Sequence, residues 1–184
     1  MTSVFIGGSR KLSRLNDQIR RRLDNMVAKN LTVLVGDANG TDKAIQRYFS
    51  ERRYRNVIVY CVEGVCRNNL GDWERRSIPS DANKRGWEHF AVKDHAMARD
   101  ASCGFMIWDG KSQGTLNNVL NLVQAGKTSV LYFSPERRFF TIRIPQDVLT
   151  VLGRCEPAAV AFLKDRLNLE ERVAAGQGAL PLDR

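Results

Sequence analysis

No stretch of this 184-residue chain approaches the ~18 consecutive uncharged apolar residues that a membrane-crossing helix needs. Nor does it open like a secretory signal. Met1-Thr2-Ser3-Val4-Phe5-Ile6-Gly7 has no basic lead and too short an apolar run, and it reads as a first strand. The expectation is a cytoplasmic protein with no membrane partner. Histidine is scarce (His89 and His95 alone), and Cys61, Cys66, Cys103 and Cys155 match no zinc spacing, so no metal site is expected. Cys61 and Cys103 sit in apolar, strand-like runs, where a thiol usually serves as a small core residue. Structural or inert thiols are therefore expected. Internal repeats and low-complexity segments are also lacking, which excludes a repeat architecture.

The chain has enough apolar residues for a real core: 43% are hydrophobic against 27% charged, which argues against disorder. The length suits one domain with at most a small C-terminal appendage. The formal charge of +9 permits contact with nucleic acid or phosphate-bearing ligands. It also fits an ordinary solubilising surface. Arg20-Arg21-Arg22 lie beside Asp17 and Asp24 on a predicted helix, and Arg52, Arg53 and Arg55 close another, where cations favour the negative end of the dipole.

Apolar, β-branched runs at 3–6, 31–35, 56–62, 103–108 and 128–133 predict strands. Helical spacing covers 15–30, 41–53, 91–101 and 115–125, the last closed by Gly126. Continuous rather than alternating apolar strands mark a parallel sheet covered on both faces. The expected fold is α/β: a Rossmann-like three-layer sandwich with a mainly parallel sheet of five or more strands, plus a C-terminal helical extension. Residues 1–134 would form the ligand-binding domain. Residues 135–184 would add an extra strand at 138–144, a short helix at 145–152, an amphipathic helix at 156–175 and frayed final residues, packed on or extending the same domain. Residues 63–90 are polar and read as one long loop, of a length usually functional or mobile, and a lid is one use for it.

Three strand-to-helix turns are rich in glycine and small polar residues: Gly7-Gly8-Ser9-Arg10, Gly36-Asp37-Ala38-Asn39-Gly40-Thr41-Asp42 and Asp109-Gly110-Lys111-Ser112-Gln113-Gly114-Thr115. In a parallel sheet all three lie on one edge, where ligands bind near the point of strand-order reversal. Glycine lets backbone approach a ligand, and free N–H groups at a helix start favour phosphate. Ser9, Thr41, Ser112 and Thr115 offer hydroxyls; Arg10 and Lys111 offer charge. No turn is a P-loop, and none has G-x-G-x-x-G spacing, which disfavours a dinucleotide dehydrogenase. Asp37, Asp42 and Asp109 are the candidate catalytic carboxylates, able to bond ribose hydroxyls or polarise a glycosidic bond. Asp42 equally suits first-turn helix duty, and Asp109 suits turn formation. Trp108 reads as core or as a rim residue that stacks on a base. His95 and Arg99, one helical turn apart, read as a surface or packing pair.

These turns, with His95-Ala96-Met97-Ala98, resemble the YspA/YpsA-related branch of the SLOG superfamily, which takes its name from DNA-processing (Smf-type) proteins and LOG cytokinin-activating enzymes. The resemblance covers roughly residues 3–133. It implies a Rossmann-like sheet binding a nucleotide or nucleotide-derived ligand, with no cofactor, in a protein that forms homo-oligomers. By position, Gly8, Ser9 and Arg10 lie near the ligand, Gly36, Gly40 and Asp42 form the second loop, and Gly114 and Thr115 match the Gly-Thr of the LOG-type phosphate loop. LOG enzymes carry a catalytic Glu three residues after that Thr, where this chain has Asn118, and Lys111-Ser112-Gln113 replaces their Pro-Gly-Gly. Asn cannot serve as a general base, so LOG-type hydrolysis here requires another carboxylate.

Three functions follow from these residues. The first is a binding module or sensor for a nucleoside phosphate or an ADP-ribose-like compound. The second is a nucleotide N-glycosidase or phosphoribohydrolase, in which Asp37, Asp42 or Asp109 stabilises the ribosyl cation. The third is weak binding of single-stranded nucleic acid, suggested by the +9 charge and by Arg67, Arg75, Arg76 and Arg85 around Trp73 and Trp87, in a stretch that also holds Lys84.

Overall fold

The chain's computed structural model describes residues 2–63, 65–80 and 86–175, with backbone alone at 86–88. Strands β1 (Ser3–Gly8), β2 (Thr32–Gly36), β3 (Val57–Val62), β5 (Cys103–Trp108) and β6 (Ser129–Phe133) are the apolar runs of the sequence. Alternate side chains of each strand enter two different cores, which is why the runs are apolar without a break. Val4, Ile6, Val33, Val35, Val57, Val59, Phe105 and Ile107 meet α1 (Asp17–Ala28) and α2 (Thr41–Glu51). Phe5, Leu34, Tyr60, Met106, Trp108 and Leu131 meet α3 (Gly86–Asp100), α4 (Gln113–Gln124) and the C-terminal helices.

The seven strands run in the order β4-β3-β2-β1-β5-β6-β7, all parallel except β7. The fold is thus α/β and Rossmann-like. From β1 the chain winds outward through β2, β3 and β4, then crosses back through α3 to place β5 on the other side of β1. Ile6 lies between Val35 and Phe105 in register. The helix after β1 and the helix after β5 lie on opposite faces, so a crevice opens at the carboxyl ends of these two strands.

The stretch 63–90 is not one loop. It contains β4 (Glu74–Ile78), parallel to β3 with Tyr60 opposite Arg76, and the start of α3. Glu74-Arg75-Arg76-Ser77-Ile78 looks polar because an edge strand has one paired neighbour, and charged side chains there deter a second chain from pairing. Lys84 and Arg85 lie outside the described residues, as does the side chain of Trp87.

Past a turn of 3-10 helix at Ser134–Glu136, β7 (Arg138–Ile142) pairs antiparallel with β6. Next comes α5 (Asp147–Leu152). The helix expected at 156–175 is two, α6 (Pro157–Arg166) and α7 (Leu169–Ala175), divided where Asn168 adopts a left-handed φ of 45°. Val148, Val151, Leu152, Leu163, Leu167 and Leu169 are buried in the same core as Leu116, Leu120 and Met97. The Arg172 guanidinium donates to Asn117 Oδ1 (2.8 Å), Asn121 Oδ1 (2.8 Å) and Gln124 Oε1 (2.6 Å), tying α7 to the outer face of α4. The last nine residues, expected to fray, lie outside the described part. Among the described residues no helix is long and apolar enough to cross a membrane.

Candidate functional site

A cavity of about 560 Å³ occupies the β1/β5 crevice. Gly7, Gly8, Arg10, Asp42, Asp109, Lys111, Ser112, Gly114 and Thr115 line it, all expected from the sequence. The start of α4 forms one wall. Ser112 caps this helix, its hydroxyl accepting from Thr115 N–H at 3.4 Å, and Gln113, Gly114 and Thr115 present the positive end of the dipole to the cavity. Arg10 and Lys111 stand exposed at the rim. Lys111 Nζ reaches Glu156 Oε2 at 3.1 Å, so the C-terminal segment touches the mouth of the site.

Ser9, Gly36, Asp37, Gly40 and Thr41 do not line the cavity; they hold it together. Ser9 is fully buried: its N–H donates to Ile107 O at 2.9 Å, and its Oγ accepts from Asp109 N–H at 3.2 Å. Thr41 Oγ1 lies 2.9 Å from both Ser9 O and Leu12 O. Gly40 has φ +81°, and a Cβ there would sit 2.0 Å from Arg10 O. A Cβ on Gly36 would sit 2.5 Å from Asp42 Oδ2 and 2.7 Å from Lys93 Nζ, so this glycine makes room for a buried charge cluster.

That cluster is the floor of the cavity, and the sequence reading named only part of it. Lys93, 3% exposed, donates to Asp94 Oδ1 at 2.9 Å and lies 3.8 Å from Asp37 Oδ1. Burial alone would lower its pKa, but Asp94, Asp42 and Asp37 outweigh this and hold the ammonium charged. The Asp42 carboxyl accepts from Ala38 N–H at 3.2 Å. Burial pushes its pKa up to about 6; Lys93 opposes the rise, and Asp94 and Asp37 add to it. Asp94 Oδ2 accepts from Asn118 Nδ2 at 3.3 Å, and Asn118 Oδ1 is buried with no partner among the described residues.

The three candidate carboxylates separate by environment. Asp37 is 1% exposed and gripped by Arg67, with Nη2 to Oδ1 at 2.7 Å and Nε and N–H to Oδ2 at 3.1 Å each. Burial would raise its pKa, yet Arg67 and Lys93 hold it below the ordinary value. Asp109 Oδ1 accepts from Lys111 N–H and Ser112 N–H at 3.0 and 2.8 Å, the bonds of a turn former. Asp42 combines cavity lining with a pKa of about 6, in the working range of an acid or base.

Arg67, Phe90, Lys93 and Asp94 are cavity residues that the sequence reading did not assign to this site. Phe90, Lys93, Asp94 and Met97 share one face of α3 at helical spacing, and all four line the cavity. A charged pair inside an otherwise apolar stripe was the available signal. His95 and Arg99 lie on the opposite, exposed face. Arg67 sits with its guanidinium carbon 4.4 Å from the Phe90 ring centre. Trp108 is fully buried, its indole N–H on Ser112 O at 2.9 Å, so it is core and cannot stack on a ligand. Trp73 is also buried, its indole N–H on Tyr54 O at 2.7 Å, and Arg76 pairs with Asp100 at 3.3 Å.

Two of the four cysteines depart from the expectation of structural or inert thiols. Cys61 and Cys66 form a disulfide, because the chain after β3 doubles back through a Val62–Val65 bridge. Cys103 and Cys155 are free and partly buried. Asp37, Cys61 and Cys66 place ligand atoms within 4.8 Å of one another. Bonded sulfurs offer no thiolate, however, and both Asp37 oxygens are taken by Arg67, so the trio is not presented to a metal ion.

No family model matches the chain, and no curated protein matches it in sequence.

Proposed function

We propose that the protein binds a nucleotide or nucleotide-derived ligand, a nucleoside phosphate or an ADP-ribose-like compound, at the β1/β5 crevice. The observation that carries this reading is one cavity with two chemically distinct ends. At one end lie the α4 N-terminus, Arg10 and Lys111, a setting for phosphate. At the other lie Asp42, Asp94 and Asn118, a setting for hydroxyl or amino donors. Gly114 and Asn118 are four residues apart on α4, a rise of about 6 Å, comparable to the reach of a sugar phosphate. Phe5, Phe90, Ala91 and Met97 add apolar surface for a flat base. The turns that resemble the SLOG superfamily supply the phosphate end, and membership of that superfamily is part of the proposal.

The test is a thermal-shift and calorimetry panel of AMP, NAD, ADP-ribose, cyclic nucleotides and short single-stranded DNA. A ligand at about 100 times its Kd stabilises the fold by roughly 2.7 kcal/mol, a visible shift. No shift with any nucleotide at millimolar concentration ends this reading, and a shift with DNA alone transfers the site to nucleic acid.

One observation favours a second reading, hydrolysis of the N-glycosidic bond. Asp94 stands beside Asn118, where LOG enzymes have their Glu, and Asp42 is poised near pH 6 across the same floor. In this reading Asp94 stabilises the developing ribosyl cation and Asp42 exchanges a proton with water or the leaving base. Chromatography of each bound nucleotide after overnight incubation decides it: released base that vanishes in Asp94→Asn supports turnover, and intact nucleotide throughout leaves a binding module.

A further inference from the structure

We propose that Cys61 and Cys66 are a reversible redox pair, opened by a dithiol, whose state sets the position of Arg67 in the cavity wall. This rests on the cavity being a ligand site and adds a control to it.

The two cysteines are held very unequally. Cys61 lies within β3, paired to Ser77 of β4, and is 3% exposed. Cys66 is half-buried in the return turn and so is the sulfur open to attack. Upstream of it, Val65 N–H donates to Val62 O at 3.1 Å. Downstream, Asn68 is pinned: its Nδ2 donates to Asp37 O at 2.7 Å, and its carbonyl accepts from Gln46 Nε2 at 3.1 Å. Between these anchors stand only Cys66 and Arg67. Arg67 makes the whole clamp on Asp37, and Asp37 in turn helps hold Lys93 on the cavity floor.

The chemistry balances with a dithiol as reductant. One of its thiolates attacks Cys66 Sγ, the Cys61–Cys66 bond breaks, and Cys61 leaves as thiolate and takes a proton. The second thiol of the reductant then attacks the mixed disulfide, releasing Cys66 as thiol and closing the reductant's own disulfide. Two electrons and two protons pass to the pair. The freed sulfurs must then separate to a non-bonded distance of about 3.5–4 Å. Cys61 is fixed in the sheet and the Asp37 carboxylate occupies the space beside both sulfurs, so the displacement falls on Cys66. Arg67, the next residue, moves with it. Reduction therefore loosens the clamp and reshapes the wall beside Phe90.

The experiment uses the full chain, equilibrated with reduced or oxidised dithiothreitol. Alkylation followed by intact mass should count two reactive cysteines in the oxidised protein and four in the reduced one. Amide exchange in a peptide covering 65–70 should rise about tenfold on reduction. The fast rate should appear in Cys66→Ser regardless of buffer, and the redox response should survive in the Cys103→Ser/Cys155→Ser protein. AMP serves as the ligand probe, with affinity expected to fall severalfold on reduction. Four free thiols under oxidising conditions, unchanged exchange at 65–70, or AMP binding that ignores redox state each overturn the proposal. AMP binding in neither state, with the exchange response intact, removes AMP as the ligand and leaves the control of Arg67 standing.

Discussion

Asn118, a residue of the cavity lining, gives its amide hydrogen to Asp94 Oδ2 at 3.3 Å, and its own Oδ1 is buried without a partner among the described residues. An unmet buried acceptor is a cost that a ligand donor relieves. Asn118→Leu, an apolar side chain of similar size, removes the unmet acceptor together with the bond to Asp94, so the stability of the empty protein should change by no more than about 1 kcal/mol while the nucleotide-induced shift is abolished. Urea denaturation with and without AMP reads both effects. A variant that still binds AMP like the parent would remove Asn118 from the site.

Asp42 gives stability a pH dependence of known sign. Its carboxyl titrates at 3.8 in the unfolded chain and at about 6 in the folded one. The folded state therefore holds more protons between those values, and this contribution to stability is present below them and lost as pH rises through 6. Asp37 runs the other way: its lowered pKa gives stability that is lost as pH falls below the ordinary carboxylate value. Asp42→Asn should flatten the decline in melting temperature from pH 4 to pH 7 and leave the acid limb unchanged. An identical profile in the variant would show that Asp42 is not perturbed.

Arg67→Met removes the clamp and leaves the buried Asp37 with Lys93 at 3.8 Å as its nearest cation. Breaking a buried pair on one side costs about 3 kcal/mol. Asp37→Asn in the same chain should recover a good part of that loss, because the unpaired charge is gone. A double-mutant cycle by chemical denaturation measures the coupling, and additive effects would count against the clamp.

Gly40→Ala meets two obstacles at once, a φ of +81° and the Arg10 carbonyl 2.0 Å from the new methyl group. A loss of about 1–3 kcal/mol is expected, with weaker AMP binding because the Arg10 turn must shift. Gly126 also has a positive φ of +71°, but nothing lies within 4 Å of the Cβ it would carry, so Gly126→Ala should cost less and leave binding unchanged. Equal losses at the two glycines would remove the argument from the Arg10 contact.

The sequence made β1, β2, β3, β5 and β6 legible because each is buried on both faces and so carries no charged residue to blur the pattern. It hid β4, whose charged residues answer to an edge position that only the assembled sheet defines. The break at Asn168 was hidden for a related reason, since Val160, Leu163 and Leu167 keep one helical stripe up to the break and only Leu169 falls off it. At the site, the three turns were plain from composition. Their division of labour was not: Ser9 and Thr41 are the same residue types as Ser112 and Thr115, yet the first two spend their hydroxyls on backbone while the second two border the cavity. Lys93 and Asp94 escaped notice because a charged pair in a helix is ordinarily solvated, and only the crossing of α3 over the crevice puts this one inside.

The hold of α5, α6 and α7 on α4 has a consequence for how the protein is made. A chain emerging from the ribosome in order completes β6 long before Leu163, Leu167, Leu169 and Arg172 arrive. Until they do, the Asn117, Asn121 and Gln124 side chains on the outer side of α4 lack the Arg172 guanidinium that ties them, on the very helix whose first turn borders the cavity. The nascent protein thus passes through a stage in which its ligand site is encoded but its supporting helix is unbacked, a stage at which chaperones or early ligand binding have the most to contribute.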